Sequence, residues 1–190
     1  MIEKVKDIIS SSVKTKELIL QDTKILETVV EIATQIVTAF RAEKKVLFCG
    51  NGGSAADAQH LAAELSGRFY KDRDPLFAEA LHVNTSYLTA VANDYSYDEV
   101  YARLIKGKGK KGDILIGIST SGNSKNILRA FDVCKELGVI TVALTGQTGG
   151  QMRYADFLIN VPSNDTPRIQ ESHIMIGHII CQIVEEQLFP

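Results

Sequence analysis

The chain has 190 residues, of which 45% are hydrophobic and 23% are charged, an ordinary globular composition. With 21 basic and 23 acidic residues the formal net charge is −2, which excludes a broadly basic nucleic-acid-binding protein. No apolar run reaches the roughly 18 residues of a membrane span, and charges scattered through the first residues argue against a signal peptide. The three widely spaced cysteines form no CxxC pair, which favours reduced thiols in a cytoplasmic protein.

The sequence pattern of residues 1–42 predicts a helical arm. Apolar residues recur every three to four positions across residues 26–40, and the polar residues 21–23 indicate a break between two helices. An arm this apolar needs a partner, which is either the rest of the chain or another copy of it. Residues 43–190 form the core in this interpretation, so residues 1–190 are predicted to be a single domain with an N-terminal helical extension.

Short apolar segments alternate with helical patterns from residue 45 onward. The strand candidates are residues 46–49, 79–83, 113–118, 139–144 and 157–161. Alternation of buried-type strands with helices is typical of an α/β protein with a parallel sheet between helices. The last helix is predicted to have Thr166 as its N-cap and Pro167 in its first position, and to end near Gln187.

Two predicted strands end in loops suited to an anion. In residues 49–54, CGNGGS, the glycines permit a tight turn and close approach of backbone N–H groups. Residues 118–124, ISTSGNS, place four hydroxyls between a strand and a helix. Because ligands of parallel sheets bind beyond the carboxyl ends of strands, and helix N-termini favour anions, both loops suit a phosphate monoester. The alternative for each is a polar turn that only caps its helix.

His60 and Glu64 are four residues apart and therefore share one face of the helix predicted after the first loop. An imidazole and a carboxylate at this spacing suit a divalent metal such as zinc, while the alternative is a solvent-exposed His–Glu pair. Gln170 and His178 share one stripe of the last helix, where the alternative for His178 is a buried histidine with a satisfied partner. His173 is interpreted as structural.

Together, the two loops, the His60–Glu64 helix and the helix start at residues 168–171 (RIQE) resemble the sugar isomerase (SIS) family, and within it the phosphoheptose isomerases. The resemblance covers nearly the whole chain, including the helical arm. It implies a flavodoxin-like αβα sandwich with a five-stranded parallel sheet, and a homotetramer with active sites at subunit interfaces. It also implies one zinc ion per subunit, bound by the residues that match His60, Glu64, Gln170 and His178.

The reaction that the resemblance implies interconverts sedoheptulose 7-phosphate and D-glycero-D-manno-heptose 7-phosphate through an enediol, the first step toward bacterial heptose precursors. Glu64 and His178 are the candidate catalytic base and acid. The implied substrate-binding residues are Asn51, Gly52, Gly53, Ser54, Glu64, Arg68, Asn93, Asp94, Ser119, Thr120, Ser121, Ser124 and Gln170.

The spacing in the last helix leaves the source of the metal ligands open. A regular helix separates the Cα atoms of Gln170 and His178 by about 12 Å, whereas metal bonds measure about 2 Å. One ion therefore contacts both only if the side chains lean together, the helix is irregular, or the ligands come from different chains. Some family members also carry an acidic residue where this chain has Pro167.

Two other functions remain open at this point. One is a non-catalytic SIS scaffold that binds the replication initiator, and the other is an isomerase or sensor for a different sugar phosphate. The presence of both Glu64 and His178 favours the isomerase over the scaffold.

Overall fold

A five-stranded parallel sheet forms the centre of the computed structural model, which describes residues 1–190. The strands stand in the spatial order β2-β1-β3-β4-β5. Every neighbouring pair is parallel, which confirms the predicted sheet and the α/β class. Their bounds are β1 (Val46–Gly50), β2 (Ala78–Ala80), β3 (Ile114–Ser119), β4 (Ile140–Thr145) and β5 (Phe157–Asn160).

Seven α-helices surround the sheet, and two short 3₁₀ segments lie at Tyr97–Glu99 and Gly150–Tyr154. One apolar core joins the sheet to α2, α3 and α7, and a second joins its other face to α4, α5 and α6. None of the helices is both long enough and apolar enough to cross a bilayer. Their bounds are α1 (Ile2–Gln21), α2 (Thr23–Arg41), α3 (Gly53–Ser66), α4 (Thr85–Asp94), α5 (Val100–Lys108), α6 (Lys125–Leu137) and α7 (Thr166–Leu188).

The first two helices meet at the predicted break. Asp22 ends α1, and its side chain accepts a hydrogen bond of 3.1 Å from the N–H of Ile25 in the first turn of α2. The second helix buries a full apolar stripe, but α1 buries only Thr15 and Ile19 along its 20 residues. The apolar side chains of α1 therefore lie mostly exposed in the single chain.

The predicted bounds of the second strand and the predicted N-cap of the last helix were wrong, and the other four strands differ from prediction by one residue at one or both ends. The second strand ends at Ala80 instead of residue 83, because it lies at the edge of the sheet and pairs over three residues with β1 alone. The chain then turns at His82. Thr166, which was predicted to be the N-cap, is instead the first residue of α7, and Asp165 is the N-cap.

The topology of the sheet places the two candidate loops side by side. After β1 the chain forms the edge strand β2 and then returns to the other side of β1 as β3. The loops that follow β1 and β3 therefore leave the carboxyl ends of two adjacent strands in opposite directions. In open α/β sheets the ligand crevice lies at this position.

His173 is fully buried where α7 crosses the end of β4. Its Nε2 donates to the carbonyl oxygen of Thr145 at 3.1 Å, and its Nδ1 is buried without a partner. Burial lowers the pKa of His173 to about 4, although the hydrogen bond to Thr145 acts to raise it. The imidazole is therefore neutral at pH 7, which suits a structural role.

We expect His173 to make the chain less stable in mild acid. Between pH 6.5 and about 4 the unfolded chain binds a proton at this site that the folded chain does not, so stability falls as the pH falls. From pH 7 to pH 4.5 this costs roughly 2–3 kcal/mol. The His173→Gln variant keeps a donor for Thr145 but does not titrate. Urea unfolding of metal-free protein at both pH values should show a smaller loss in the variant, and an equal loss would contradict the assignment.

Candidate active site

The first loop brings the start of α3 against α7. Gly52 is the N-cap of α3 and has a φ of 56°, a conformation that side chains rarely adopt. A Cβ at Gly53 would lie 2.6 Å from Nε2 of Gln170, so a side chain at this position would displace that amide. Ser54 is buried in the first turn of α3. The loop after β1 and the first turns of α7 therefore form one surface.

The second loop gathers hydroxyl groups at the start of α6. Ser119 Oγ lies 2.8 Å from Ser124 Oγ and 3.5 Å from Ser121 Oγ. Although Ser124 is the N-cap residue, its hydroxyl makes no capping bond to α6. In the first turn of α6 the N–H of Ile127 bonds to the carbonyl oxygen of Ser124 and to Oδ1 of Asn126, while those of Lys125 and Asn126 remain available to an anion. Thr120 and Ser121 line an adjacent polar cavity of about 280 Å³.

A pair of amides ties the two loops together. The side chains of Asn51 and Asn126 donate to each other, at 3.0 Å and 2.9 Å, and the hydroxyl of Tyr97 donates to the Asn51 oxygen at 3.2 Å. Asn126 is only 2% exposed. Neither Asn126 nor Tyr97 was among the predicted site residues, because their common partner Asn51 lies far away in the sequence, 75 residues from Asn126 and 46 from Tyr97.

Three further side chains form a cluster between α3 and α7. His60 Nε2 lies 3.0 Å from Glu64 Oε1 and 3.0 Å from His178 Nε2. One ligand atom from each residue lies within 4.8 Å of the others. Bonds of about 2.0–2.1 Å in tetrahedral geometry would separate ligand atoms by roughly 3.4 Å. The donors and their spacing therefore fit a divalent transition metal, and the role of these three residues as its ligands stays a prediction.

Asp57 lies one turn before His60 on α3 and was not among the predicted site residues. One of its carboxylate oxygens is buried without a hydrogen-bond partner. Burial raises the pKa of the Asp57 carboxyl, while the neighbouring His60 and His178 act to lower it. Its position three residues before His60, on the same helix face, is the sequence signal that would have found it.

Gln170 lies away from this cluster in the single chain. Its amide packs against Gly53, and His60 follows seven residues later, about 10 Å along α3. Gln170 therefore lies beside the first loop, and its role as a metal ligand stays a prediction.

The other predicted contacts lie on separate elements. Arg68 is exposed just beyond the end of α3, about 20 Å along that helix from Gly53. Asn93 and Asp94 end α4, exposed, and the Asn93 amide donates to the Asp94 carboxylate at 3.0 Å. A single chain therefore does not bring Arg68 to the same small ligand as the loops.

The arrangement combines two chemical capacities. Hydroxyls and helix N–H groups at the switch point can hold a phosphate. The cluster on α3 and α7 offers two imidazoles and a carboxylate, which can exchange protons or bind a metal. His60 is 51% exposed and Glu64 is 23% exposed in the single chain, so the cluster is open to a small molecule.

The chain was compared with known proteins. The family model described as SIS domain matches residues 14–146. The phosphoheptose isomerase of Aneurinibacillus thermoaerophilus is 52% identical over 190 residues, covering all of this chain and 96% of that protein. That of Mycobacterium tuberculosis strain H37Ra is 55% identical over 184 residues, covering 96% and 94%. The solved phosphoheptose isomerase structure from Neisseria gonorrhoeae matches with a TM-score of 0.90 and 39% identity, covering 97% of this chain and 98% of that chain.

The bond between the two loops should contribute measurably to stability. Replacing Asn126 with alanine removes both amide bonds to Asn51 and leaves the Asn51 amide nitrogen unpaired, a loss of about 1–3 kcal/mol in the free energy of unfolding. Urea denaturation measures it. The control Asn164→Ala removes an exposed amide bonded only to Gln147 and should cost less than about 0.5 kcal/mol. Equal effects in the two variants would show that the loops are not held by this pair.

Proposed function

The chain belongs to the SIS-domain family and within it to the phosphoheptose isomerases, and on this premise we propose that it interconverts sedoheptulose 7-phosphate and D-glycero-D-manno-heptose 7-phosphate. The observation that carries the proposal is the His60–Glu64–His178 cluster, placed beside a hydroxyl-lined crevice. A ketose–aldose isomerisation needs both parts: a proton-transfer site for carbons 1 and 2, and an anchor for the distant phosphate.

The reaction moves one proton between carbons 1 and 2 and another between their oxygens, through a cis-enediol. It needs a base near the carbons and an acid that serves the oxygens. We assign these two roles to Glu64 and His178, which extend from different helices toward the same space.

The phosphate is bound, in this proposal, by the hydroxyls after β3 and by the backbone N–H groups at the starts of α3 and α6. This binding energy fixes the far end of the sugar and so orients the reacting carbons. The proposed phosphate and sugar contacts are Asn51, Gly52, Gly53, Ser54, Asn93, Asp94, Ser119, Thr120, Ser121, Ser124 and Gln170. Because Arg68 lies about 20 Å from Gly53 in one chain, we assign its contact to the crevice of a neighbouring subunit.

We propose zinc as the metal, one ion per subunit, held by His60, Glu64 and His178, with Gln170 of the same or a neighbouring chain as the fourth ligand. When bound, zinc supplies a Lewis acid for the carbonyl and hydroxyl oxygens of the substrate. The half-exposed position of His60 supports a site that a ligand reaches from outside the chain.

The proposed assembly is a cytoplasmic homotetramer with active sites at subunit interfaces. It is supported by α1, where apolar side chains that would otherwise face water are 48–74% exposed. A second copy of the chain is the partner that this amphipathic helix lacks. These side chains are Ile2, Val5, Ile8, Ile9 and Val13.

Incubation with sedoheptulose 7-phosphate in D₂O, followed by NMR, tests the reaction. We expect aldose heptose 7-phosphate with deuterium at carbon 2. Glu64→Gln and His178→Ala should each lower kcat by about 10²-fold or more, since each removes a proton-transfer group. Glu186→Gln, which changes an exposed carboxylate of α7, is the matched control and should retain full activity. Full activity in Glu64→Gln would remove Glu64 from the chemistry, and a wild-type chain that binds the sugar phosphate without converting it would favour a scaffold or sensor.

Metal analysis tests the ligand assignment separately. The purified chain should contain about one zinc per subunit, and chelation should abolish conversion until zinc is restored. His60→Ala should lose most of the bound zinc, because it removes one of the four proposed ligands, while Glu186→Gln should keep it. Full zinc content in His60→Ala would place the metal elsewhere.

A further inference from the structure

Glu185 is a buried carboxylate that the proposed reaction does not use. It lies on α7, seven residues after His178, and is only 2% exposed. The carboxylate accepts hydrogen bonds from three consecutive N–H groups, those of Phe69, Tyr70 and Lys71, at 3.1, 2.8 and 3.0 Å. Burial raises the pKa of Glu185, but these donors and Arg73 outweigh it and hold the pKa below its usual value. The side chain is therefore ionised and fully partnered.

Arg73 connects this carboxylate to the end of α3. Its Nε donates to Glu185 Oε1 at 3.2 Å, and both side chains are 2% exposed. Its Nη2 donates to the carbonyl oxygen of Glu64 at 2.9 Å, and its Nη1 donates to that of Leu65 at 2.8 Å. The last carbonyls of a helix have no partner within the helix. The guanidinium thus caps the C-terminal end of α3, and one of the two carbonyl groups that it binds belongs to Glu64, a member of the cluster.

The geometry of the cluster depends on the distance between α3 and α7, which the Arg73–Glu185 ion pair also bridges. Two of its side chains come from α3 and the third comes from α7, and their ligand atoms lie 3.0 Å apart across the two helices. A metal site tolerates errors of only about 0.2 Å in its bond lengths. The segment held by Glu185 also contacts His178, because the Phe69 ring lies 5.8 Å from the imidazole, centroid to centroid. Both helices of the cluster therefore touch the same buried ion pair.

We propose that Arg73 and Glu185 are positioning residues, whose ion pair holds the end of α3 against α7 and thereby sets the distance of His178 from His60 and Glu64. The inference rests on the proposed function for its kinetic readout, and its metal readout needs no turnover. The competing explanation is an ion pair that stabilises the fold without influence on the cluster. The two explanations differ in what happens to metal affinity when the pair is broken.

The chain offers a matched control for that comparison. Lys45 and Asp113 form a second buried ion pair, with Asp113 1% exposed and its carboxylate accepting the N–H groups of Lys45 and Lys110. This pair lies at the amino ends of β1 and β3, remote from the cluster. Asp113→Asn therefore breaks an interaction of the same kind without touching α3 or α7.

The experiment compares Glu185→Gln, Arg73→Lys and Asp113→Asn with the wild type. Zinc affinity is measured by competition with a chromophoric chelator, alongside Tm, kcat and KM. Arg73→Lys retains the charge but loses the planar fork that reaches both the carboxylate and the α3 carbonyls. We expect zinc to bind 10–100-fold more weakly in the first two variants, with a lower kcat and a KM within about twofold. Asp113→Asn should lower Tm while keeping zinc affinity and kcat within about twofold.

Zinc affinity and kcat equal to wild type in Arg73→Lys and Glu185→Gln, with only Tm lowered, would overturn the proposal. A loss of zinc affinity in Asp113→Asn as large as that in Glu185→Gln and Arg73→Lys would overturn it too, because general destabilisation would then explain the effect. If Glu185→Gln does not fold, Arg73→Lys decides alone. A wild-type chain that binds zinc but converts no heptose phosphate overturns the proposed function, and the affinity comparison still decides the role of the ion pair. A wild-type chain that binds no zinc overturns both.

Discussion

The close packing of α3 against α7 is the contact on which the candidate site depends. A Cβ at Gly177 would lie 2.5 Å from the methyl carbons of Leu61, so the helices reach this distance only because residue 177 has no side chain. Leu61 and Gly177 are the chain neighbours of His60 and His178. The apolar contact and the polar cluster therefore occupy the same level of the two helices. Packing forces that stabilise the core therefore also bring the imidazoles together.

The sequence predicted those features that arise from local periodicity. Alternating apolar segments fixed the number and direction of the strands, because each buried strand and each helix leaves its own spacing of apolar residues. The pairing of His60 with Glu64 followed from the four-residue repeat of a helix. His178 was harder, since its distance from His60 is set by tertiary packing across 118 residues. The family resemblance supplied that link, and helix spacing alone left it undecided.

Other parts of the site had no signal in the sequence. The partners of Glu185 lie 112–116 residues away, and nothing in their spacing reveals that three N–H groups converge on one carboxylate. Asn126 looked like an ordinary residue in the first turn of a helix until its bond to Asn51 was seen. The short second strand was overestimated because residues 81–83 continue the apolar pattern, whereas an edge strand ends where its single partner stops pairing. Long-range polar pairing and edge effects are properties of the assembled sheet.

The distance of about 10 Å along α3 between Gly53 and His60 has an evolutionary consequence. The crevice is built from backbone turns and hydroxyls, whereas the cluster is built from three side chains on helix surfaces. Selection can therefore alter one without dismantling the other, and a descendant that replaces a single imidazole would keep a complete anion cradle. Such a descendant would lose a proton-transfer group while its loops kept their hydroxyl and N–H donors, so this architecture offers enzymes a short route to becoming regulators or structural partners.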